Sequence, residues 1–142
     1  FPTRRSSDLF VFTRANFDKY AAGCDATLIH GDLIDAFEEL NGQVSVVASN
    51  PPYIPLAAVP RDEVVRLHDP DLALYGGEDG MSVMRHVSAT ARRLLVDGGV
   101  LVVEHADSQS EQVCQLLLAD GWREVRAHRD LTDRDRAVTA IK

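Results

Sequence analysis

The stretch Val44–Tyr53 (VSVVASNPPY) decides the predicted fold of this chain. It begins with a short run that is almost entirely apolar and β-branched, and it ends in two prolines and a tyrosine. A short apolar run that stops at proline is typical of a buried strand in a parallel sheet. Ligands of open α/β sheets bind outside the carboxyl ends of such strands. The sequence therefore predicts a functional loop at Asn50–Tyr53.

The residues of this loop suit the positioning of a flat NH2 group. Asn50 offers a side-chain carbonyl as an acceptor, and Pro51 offers a backbone carbonyl on a chain whose φ is fixed. Two fixed acceptors can take both hydrogens of an amide or amino group, while the Tyr53 ring packs against its plane. This arrangement favours alkylation of the nitrogen by positioning. The alternative is a purely structural Pro-Pro turn with Asn50 as a turn residue.

The loop after an apolar strand resembles the signature of methyltransferases that act on exocyclic or side-chain NH2 groups with S-adenosylmethionine. Its surroundings are similar to one branch, the HemK/PrmC family, which methylates the glutamine side-chain amide of peptide-chain release factors. The resemblance runs from about Arg14 to the end of the chain. It also rests on Ile54-Pro55, His68–Pro70, Ala73–Gly80, Gly98–His105, Gln109 and Asp133–Arg136.

This resemblance implies an α/β, Rossmann-like, S-adenosylmethionine-dependent methyltransferase fold with an antiparallel hairpin at its carboxyl end. It implies that Asn50 and Pro51 hold the glutamine amide, that Pro52 stiffens the loop and that Tyr53 packs on the amide plane. The protein partner implied is a peptide-chain release factor.

The cofactor implied is S-adenosylmethionine, with Asp32, Leu33 and Asn50 as its contacts. Asp32 would accept from the adenine amino group and Leu33 would pack on the ring. The alternative is that Asp32 caps the helix that follows it. A nucleotide-type cofactor also needs a glycine-rich turn, but no Gly-x-Gly-x-Gly occurs in the sequence. We therefore expect the carboxyl-terminal part of a longer enzyme, which alone should not bind S-adenosylmethionine tightly.

The first nine residues, Phe1–Leu9, do not continue any later pattern. We interpret residues 1–9 as a non-native leader and residues 10–142 as the methyltransferase part. Residues 10–12 are either the end of a strand or more of this leader. Gly23 is expected to end the first helix as a left-handed cap.

Periodicity predicts the remaining elements. The family resemblance implies a sheet whose strands run third, second, first, fourth, fifth, seventh, sixth, and in that order the strand at 44–49 would be the fourth. The strand at 26–30 would be the third. Helices are predicted at 14–22, 34–40, 61–67, 82–95 and 110–120, and strands at 26–30, 44–49, 100–104, 122–128 and 137–141, with Asp97–Gly99 closing the helix at 82–95.

Several other residues are assigned mainly structural roles. Glu104 and His105 either act as acid and base or, as we favour, cover the sheet edge or hold the Gly76–Gly77 turn, which should let its loop lie close to Asn50–Tyr53. The segment Arg134–Arg136 is expected to form an ion-paired turn. The two cysteines are expected to be reduced core residues. No metal site is predicted, because the histidines show no ligand spacing.

Composition limits the function classes further. The net charge is −7, and no basic stripe is present, so direct nucleic-acid binding is not expected. No apolar run is long enough for a membrane span and no signal peptide is visible, so a cytoplasmic protein is expected. Two rivals stay open. They are an exocyclic-amino methyltransferase of DNA or RNA, and a non-catalytic remnant whose Pro-Pro loop only binds a partner.

Overall fold

The computed structural model describes residues 6–59 and 63–142. It is an α/β structure in which helices pack on a four-stranded mixed sheet. The helices are α1 Ser6–Tyr20, α2 Glu63–His68, α3 Asp71–Leu74, α4 Ser82–Leu94 and α5 Ser110–Ala119, with single 3-10 turns at Glu38–Leu40 and Asp107–Gln109. The strands are β1 Val44–Ser49, β2 Leu95–Glu104, β3 Arg123–Arg129 and β4 Asp135–Ile141.

The order of the strands in the sheet is β1-β2-β4-β3. Strand β1 runs parallel to β2, with Ser49 opposite Val103. Strands β3 and β4 form the antiparallel hairpin, and β4 pairs antiparallel with β2. This order matches the predicted sequence of fourth, fifth, seventh and sixth strands, so the topology of this half of the sheet is confirmed.

The hydrophobic core lies around β2 and β4, the two strands with a neighbour on each side. Leu101 and Val103 of β2 are fully buried, as are Val138 and Ala140 of β4. Helices α4 and α5 contribute Met84, Val87, Ala91, Val113 and Leu117. The apolar stripe predicted for α4 therefore packs on the sheet, and this helix carries the chain from β1 to the parallel strand β2.

The Asp97–Gly99 turn has a different position from the one predicted. The helix already ends at Leu94, and β2 begins at the next residue. The glycines form an irregularity within β2, where Gly98 has a φ of +81° and its N–H bonds the Lys142 carbonyl. The pairing of β2 with the end of the chain thus extends the strand through residues that resemble a turn.

Strand β1 is less buried than the sequence predicts. It pairs with β2 alone, and the Val46 side chain is 57% exposed. The predicted strand at 26–30 does not form, because a strand requires a partner and this segment has none among the described residues. The prediction of an apolar strand at β1 is confirmed. The described residues, however, include no strand that pairs with its other edge.

The amino-terminal part also departs from expectation. Helix α1 includes Phe10–Phe12, which are therefore not a strand, and Val11 and Phe12 are exposed. Of the proposed leader, residues 1–5 lie outside the described residues, and the rest begins α1. The φ of +87° at Gly23 confirms the left-handed conformation predicted there.

Two short predicted helices differ in extent. The prediction of a helix at 34–40 is wrong. The segment forms only a 3-10 turn at Glu38–Leu40, which follows Phe37 with a φ of +57°. The helix at 61–67 corresponds to α2, and residues 61 and 62 lie outside the described residues.

Only one of the two cysteines, Cys114, packs against the core. Cys24 is exposed and Cys114 is half-buried, so the prediction of core cysteines is wrong for Cys24. Burial raises the pKa of the Cys114 thiol. Among the helices of the described ranges, none is both long and apolar enough to cross a membrane.

Candidate active site

The loop Asn50–Tyr53 leaves the carboxyl end of β1, as predicted. Asn50 is exposed, Pro51 is buried, and Pro52 and Tyr53 are half-buried. The prolines fix φ along this segment. The loop is thus anchored in the protein at Pro51 while the amide of Asn50 stays accessible to a ligand.

A second segment holds the loop by backbone hydrogen bonds. Ile54 forms a parallel bridge with Tyr75. The Ile54 N–H donates to the Leu74 carbonyl at 2.9 Å, and the Gly76 N–H donates back to the Ile54 carbonyl at 2.9 Å. The Leu56 N–H donates to the Gly77 carbonyl at 3.0 Å. These bonds confirm the prediction that the Gly76–Gly77 turn lies close to the Asn50–Tyr53 loop.

This close approach requires glycine at two positions. A Cβ atom on Gly76 would lie 2.6 Å from the Pro52 carbonyl oxygen. Gly80 has a φ of +73°, and a Cβ there would overlap the Tyr53 carbonyl oxygen. Any larger residue would push the second segment away from the candidate site.

Gln109 holds the other side of the loop. Its side chain is buried, and Nε2 donates to the Tyr53 carbonyl oxygen at 3.0 Å. Its Oε1 accepts from the Ala106 N–H at 3.1 Å, which fixes the amide orientation. In the sequence, Gln109 is distinguished only as part of the family resemblance. The signal for its role was its place just after a strand whose carboxyl end faces the site.

The ring of Tyr53 points its hydroxyl toward Glu104 and Arg136. Burial raises the pKa of Tyr53, and the charge of Glu104 raises it further, while Arg136 opposes this change. The hydroxyl is therefore protonated at neutral pH, and it faces a carboxylate and a guanidinium. Glu104 ends β2 and Arg136 lies in β4, so the sheet itself brings both to the loop.

Of the two structural roles favoured for Glu104 and His105, only hydrogen bonding to the Gly76–Gly77 turn is not found, since neither side chain bonds that turn in the described part of the chain. The His105 ring is fully buried, with Nδ1 bonded to the Ala106 carbonyl at 2.7 Å. A ring so buried cannot reach a ligand, so an acid–base role for His105 is not supported either. Glu104 instead contributes to the surroundings of Tyr53.

An ion pair joins the turn of the carboxyl-terminal hairpin to Arg136. Asp130 forms ion pairs of 3.6 Å with Arg134 and Arg136, and Arg129 pairs with Asp133 at 3.1 Å. Hydrogen bonds, first of all from the Thr132 hydroxyl, lower the pKa of Asp130 to about 2. This confirms the ion-paired turn predicted at Arg134–Arg136.

Asp32 and Leu33 lie elsewhere in the structure. The Leu33 carbonyl accepts from the hydroxyl of Thr90, which lies near the end of α4. The Leu33 side chain packs against the core. Because α4 leads directly into β2, this end of the helix lies beside the start of β1, whereas Asn50 follows the end of β1. The described structure does not bring Asp32 and Leu33 to Asn50.

The contacts of Asp32 stay within its own segment. Its Oδ1 accepts from the Ile34 N–H at 2.9 Å, but no helix begins there, so the alternative in which Asp32 caps a following helix is wrong. With Asp32 engaged by its own backbone and Leu33 in the core, the described residues do not form a complete nucleotide cradle. Their assignment to a cofactor stays a prediction for a longer protein.

Taken together, Asn50, Pro51 and Tyr53 are the residues predicted to hold a planar NH2 group of a ligand. They provide an exposed amide acceptor at Asn50, a rigid carbonyl at Pro51 and a braced aromatic ring at Tyr53. Nothing in this set is a strong base within reach of a ligand. No cluster of His, Cys, Asp or Glu that could hold a metal ion occurs among the residues described.

Comparison with known proteins shows extensive similarity to one group. No protein-family model matches the chain. A release factor glutamine methyltransferase of Streptomyces coelicolor is 45% identical over 142 residues, which cover 96% of this chain and 48% of the relative. The corresponding protein of Mycolicibacterium smegmatis is 45% identical over 86% of this chain and 44% of its own length.

A relative with a different substrate also matches. The 4-amino-L-phenylalanine/4-methylamino-L-phenylalanine methyltransferase of Streptomyces pristinaespiralis is 43% identical over 86% of this chain and 41% of its own length. The chain thus spans about half the length of the curated relatives it matches.

The fold is shared with a solved structure. A chain of the E. cuniculi Mtq2–Trm112 complex, responsible for methylation of the eRF1 translation termination factor, aligns with a TM-score of 0.52 at 19% identity. The alignment covers 94% of this chain and 77% of that chain. The likeness supports the methyltransferase fold expected from the sequence.

Proposed function

Because this chain is a homologue of the release factor glutamine methyltransferases, we propose that the full-length protein methylates a glutamine side-chain amide in a peptide-chain release factor. By the full-length protein we mean this chain with the remaining length of those relatives. The observation that carries the proposal is the accessible Asn50 amide beside the buried Pro51 at the carboxyl end of β1.

In this proposal the chain supplies the substrate side of the site. The Asn50 Oδ1 and the Pro51 carbonyl accept the two hydrogens of the glutamine amide, and the Tyr53 ring packs on the amide plane. Two fixed acceptors orient the nitrogen without first removing a proton. The proton leaves with or after methyl transfer, so a strong base is not needed.

The methyl donor proposed is S-adenosylmethionine, which supplies an electrophilic methyl group. Its complete site belongs to the full-length protein, with Asp32, Leu33 and Asn50 as the contacts predicted in this chain. A release factor is a protein substrate, and this fits the net charge of −7 better than a nucleic acid does. A cytoplasmic location is part of the same proposal, since translation termination takes place there.

A second candidate function is methylation of an aromatic amine. It is favoured by the similarity to the Streptomyces pristinaespiralis enzyme, which is named for two amino-substituted phenylalanines. The same acceptor pair would hold an aryl NH2 group as well as an amide. The two further rivals, a methyltransferase of DNA or RNA and a non-catalytic remnant, have less support from the relatives.

The full-length protein can be assayed with a methyl-labelled donor against three substrates in parallel. These are a purified release factor, 4-amino-L-phenylalanine and single-stranded DNA. The proposal predicts label in the release factor, on glutamine, and far less in the other two. Preferential labelling of the free amino acid or of DNA would replace it with the corresponding rival, and no labelling at all would favour the remnant.

A further inference from the structure

A cavity of about 700 Å³ opens beside Tyr53. Its apolar wall includes Ile54 and Ala58, and its polar wall includes Gln112, Arg134 and Arg136. Tyr53 belongs to both the cavity and the candidate active loop, whereas Asn50 and Pro51 are not part of the lining. The cavity is therefore a separate space that adjoins the place proposed for the amide.

We propose that this cavity binds the polypeptide segment that flanks the methylated amide, so that the enzyme recognises its target as part of a protein chain. The inference rests on the proposed function and adds the part of the site that gives specificity for a protein substrate. A cavity of this size spans about three extended residues, and an amide held at Asn50 leaves it unfilled.

The polarity of the walls suits a peptide. Side chains of a bound segment can pack on the apolar wall, while its backbone carbonyls need donors. Gln112 is exposed on α5, and the Arg134 Nε donates to the Thr132 hydroxyl at 2.8 Å. Within the described ranges, no hydrogen bond uses the terminal nitrogens of Arg134, so they can serve a ligand.

The charge of the cavity argues against a nucleic acid. Among the described lining residues, Arg134 and Arg136 are balanced by Asp79 and Asp107. A phosphate backbone would meet two carboxylates as well as two guanidinium groups, and it gains affinity mainly from an excess of positive charge. A neutral polypeptide segment suits this balance.

Substitutions that fill or alter the cavity away from Asn50 provide the test. In Gln112→Trp a large side chain enters the cavity, and its matched control is Gln115→Trp, an exposed position on the same helix that does not line the cavity. A second pair is Arg134→Ala with Arg126→Ala, which removes an exposed arginine of β3 outside the lining. Both pairs are made in the full-length protein.

Steady-state methylation of an intact release factor is measured alongside acetylglutamine amide, a probe with no flanking chain. We expect Gln112→Trp and Arg134→Ala to raise KM for the release factor about tenfold, the effect of one lost contact. Their kcat, and kcat/KM for the small amide, should match those of the two controls.

Other results would overturn the inference. Unchanged KM in both cavity variants, with an active wild type, would remove the cavity from recognition and leave the proposed function standing. An equal loss on the small amide would indicate a small-molecule occupant, and a loss confined to kcat would indicate a role in loop position. Competition by single-stranded DNA that is abolished in Gln112→Trp would indicate a nucleic acid. Failure of the wild type on every substrate would instead contradict the proposed function.

Discussion

The Gln109 side-chain amide donates a hydrogen bond of 3.0 Å to the Tyr53 backbone carbonyl. This bond joins the segment after β2 to the loop after β1, at the carboxyl ends of two parallel strands. Replacing Gln109 with Leu leaves a half-buried carbonyl without its donor and the Ala106 N–H without its acceptor.

We expect Gln109→Leu to lower the free energy of unfolding by about 1–3 kcal/mol, as for an unsatisfied buried polar group. Urea denaturation measures this change, and Gln115→Leu, on the exposed side of α5, is the control. Equal stability of the two variants would show that the bond to Tyr53 contributes nothing to the loop.

Gly80 tests the close approach of the two loop segments. Both Gly80 and Gly42 have positive φ, of +73° and +67°, but only at Gly80 would a Cβ meet other atoms. Each Gly→Ala change costs about 1–2 kcal/mol for the left-handed backbone. Gly80→Ala should cost more, because the new methyl group overlaps the Tyr53 carbonyl oxygen.

The comparison is made by thermal and urea unfolding of both alanine variants. Methyl transfer should also fall in Gly80→Ala and stay normal in Gly42→Ala, since the loop shifts in the first alone. If the two variants lose the same stability and keep the same activity, the packing of Gly80 against Tyr53 is not important.

The Tyr53 ring, not its hydroxyl, is assigned to the substrate. Tyr53→Phe should therefore retain more activity than Tyr53→Ala, although it removes the hydroxyl that faces Glu104 and Arg136. The raised pKa keeps this hydroxyl protonated, so no tyrosinate step should appear near neutral pH. The test is the initial rate of methyl transfer of the wild type and both variants. It is measured from pH 6 to about 9, the range in which His and α-amino groups titrate. Equal losses in both variants would give the hydroxyl a direct role.

The lowered pKa of Asp79 predicts how the free energy of unfolding changes at acid pH. Hydrogen bonds from the Arg85 guanidinium and the Met81 N–H lower its pKa from 3.8 to about 2. Because the folded-state pKa lies below the unfolded value, the stabilising effect is complete above pH 3.8 and is lost as the pH falls toward about 2.

In Asp79→Asn, stability should depend less steeply on pH within this window, and Asp25→Asn, at an exposed position, serves as the control. Asp130 has a similarly lowered pKa, so some dependence should persist. Urea midpoints at several pH values give the slopes. A slope unchanged from wild type in Asp79→Asn would mean that the ion pair with Arg85 does not form in solution.

The sequence predicted those parts of the fold that depend on local periodicity. The stripe on α4, the apolar runs of β1 and β2 and the final hairpin are each encoded within a short segment, and so is the position of the Asn50–Tyr53 loop. The strand expected at 26–30 fails because a strand is stable only beside a partner, which periodicity alone does not provide.

The surroundings of Tyr53 could not be predicted in the same way. Gln109, Glu104 and Arg136 lie more than fifty residues from it in sequence, and they meet it only because β2 and β4 are neighbours in the sheet. Their residue types gave no signal, since a buried glutamine and an ion-paired arginine occur in many structural roles. The assignments of Asn50 and Pro51 to the amide, and of Asp32 and Leu33 to the cofactor, stay predictions.

The most direct test of the central claim is the methylation of a release factor by the full-length protein carrying Asn50→Ala. The exposed Asn16 of α1 provides the matched control, Asn16→Ala. Mass spectrometry of the glutamine-containing peptide of the release factor measures the fraction methylated over time. The account predicts a loss of about 10²- to 10³-fold in kcat for Asn50→Ala, as for one positioned acceptor, with normal folding and normal turnover in Asn16→Ala. Turnover at the wild-type rate in Asn50→Ala would contradict it.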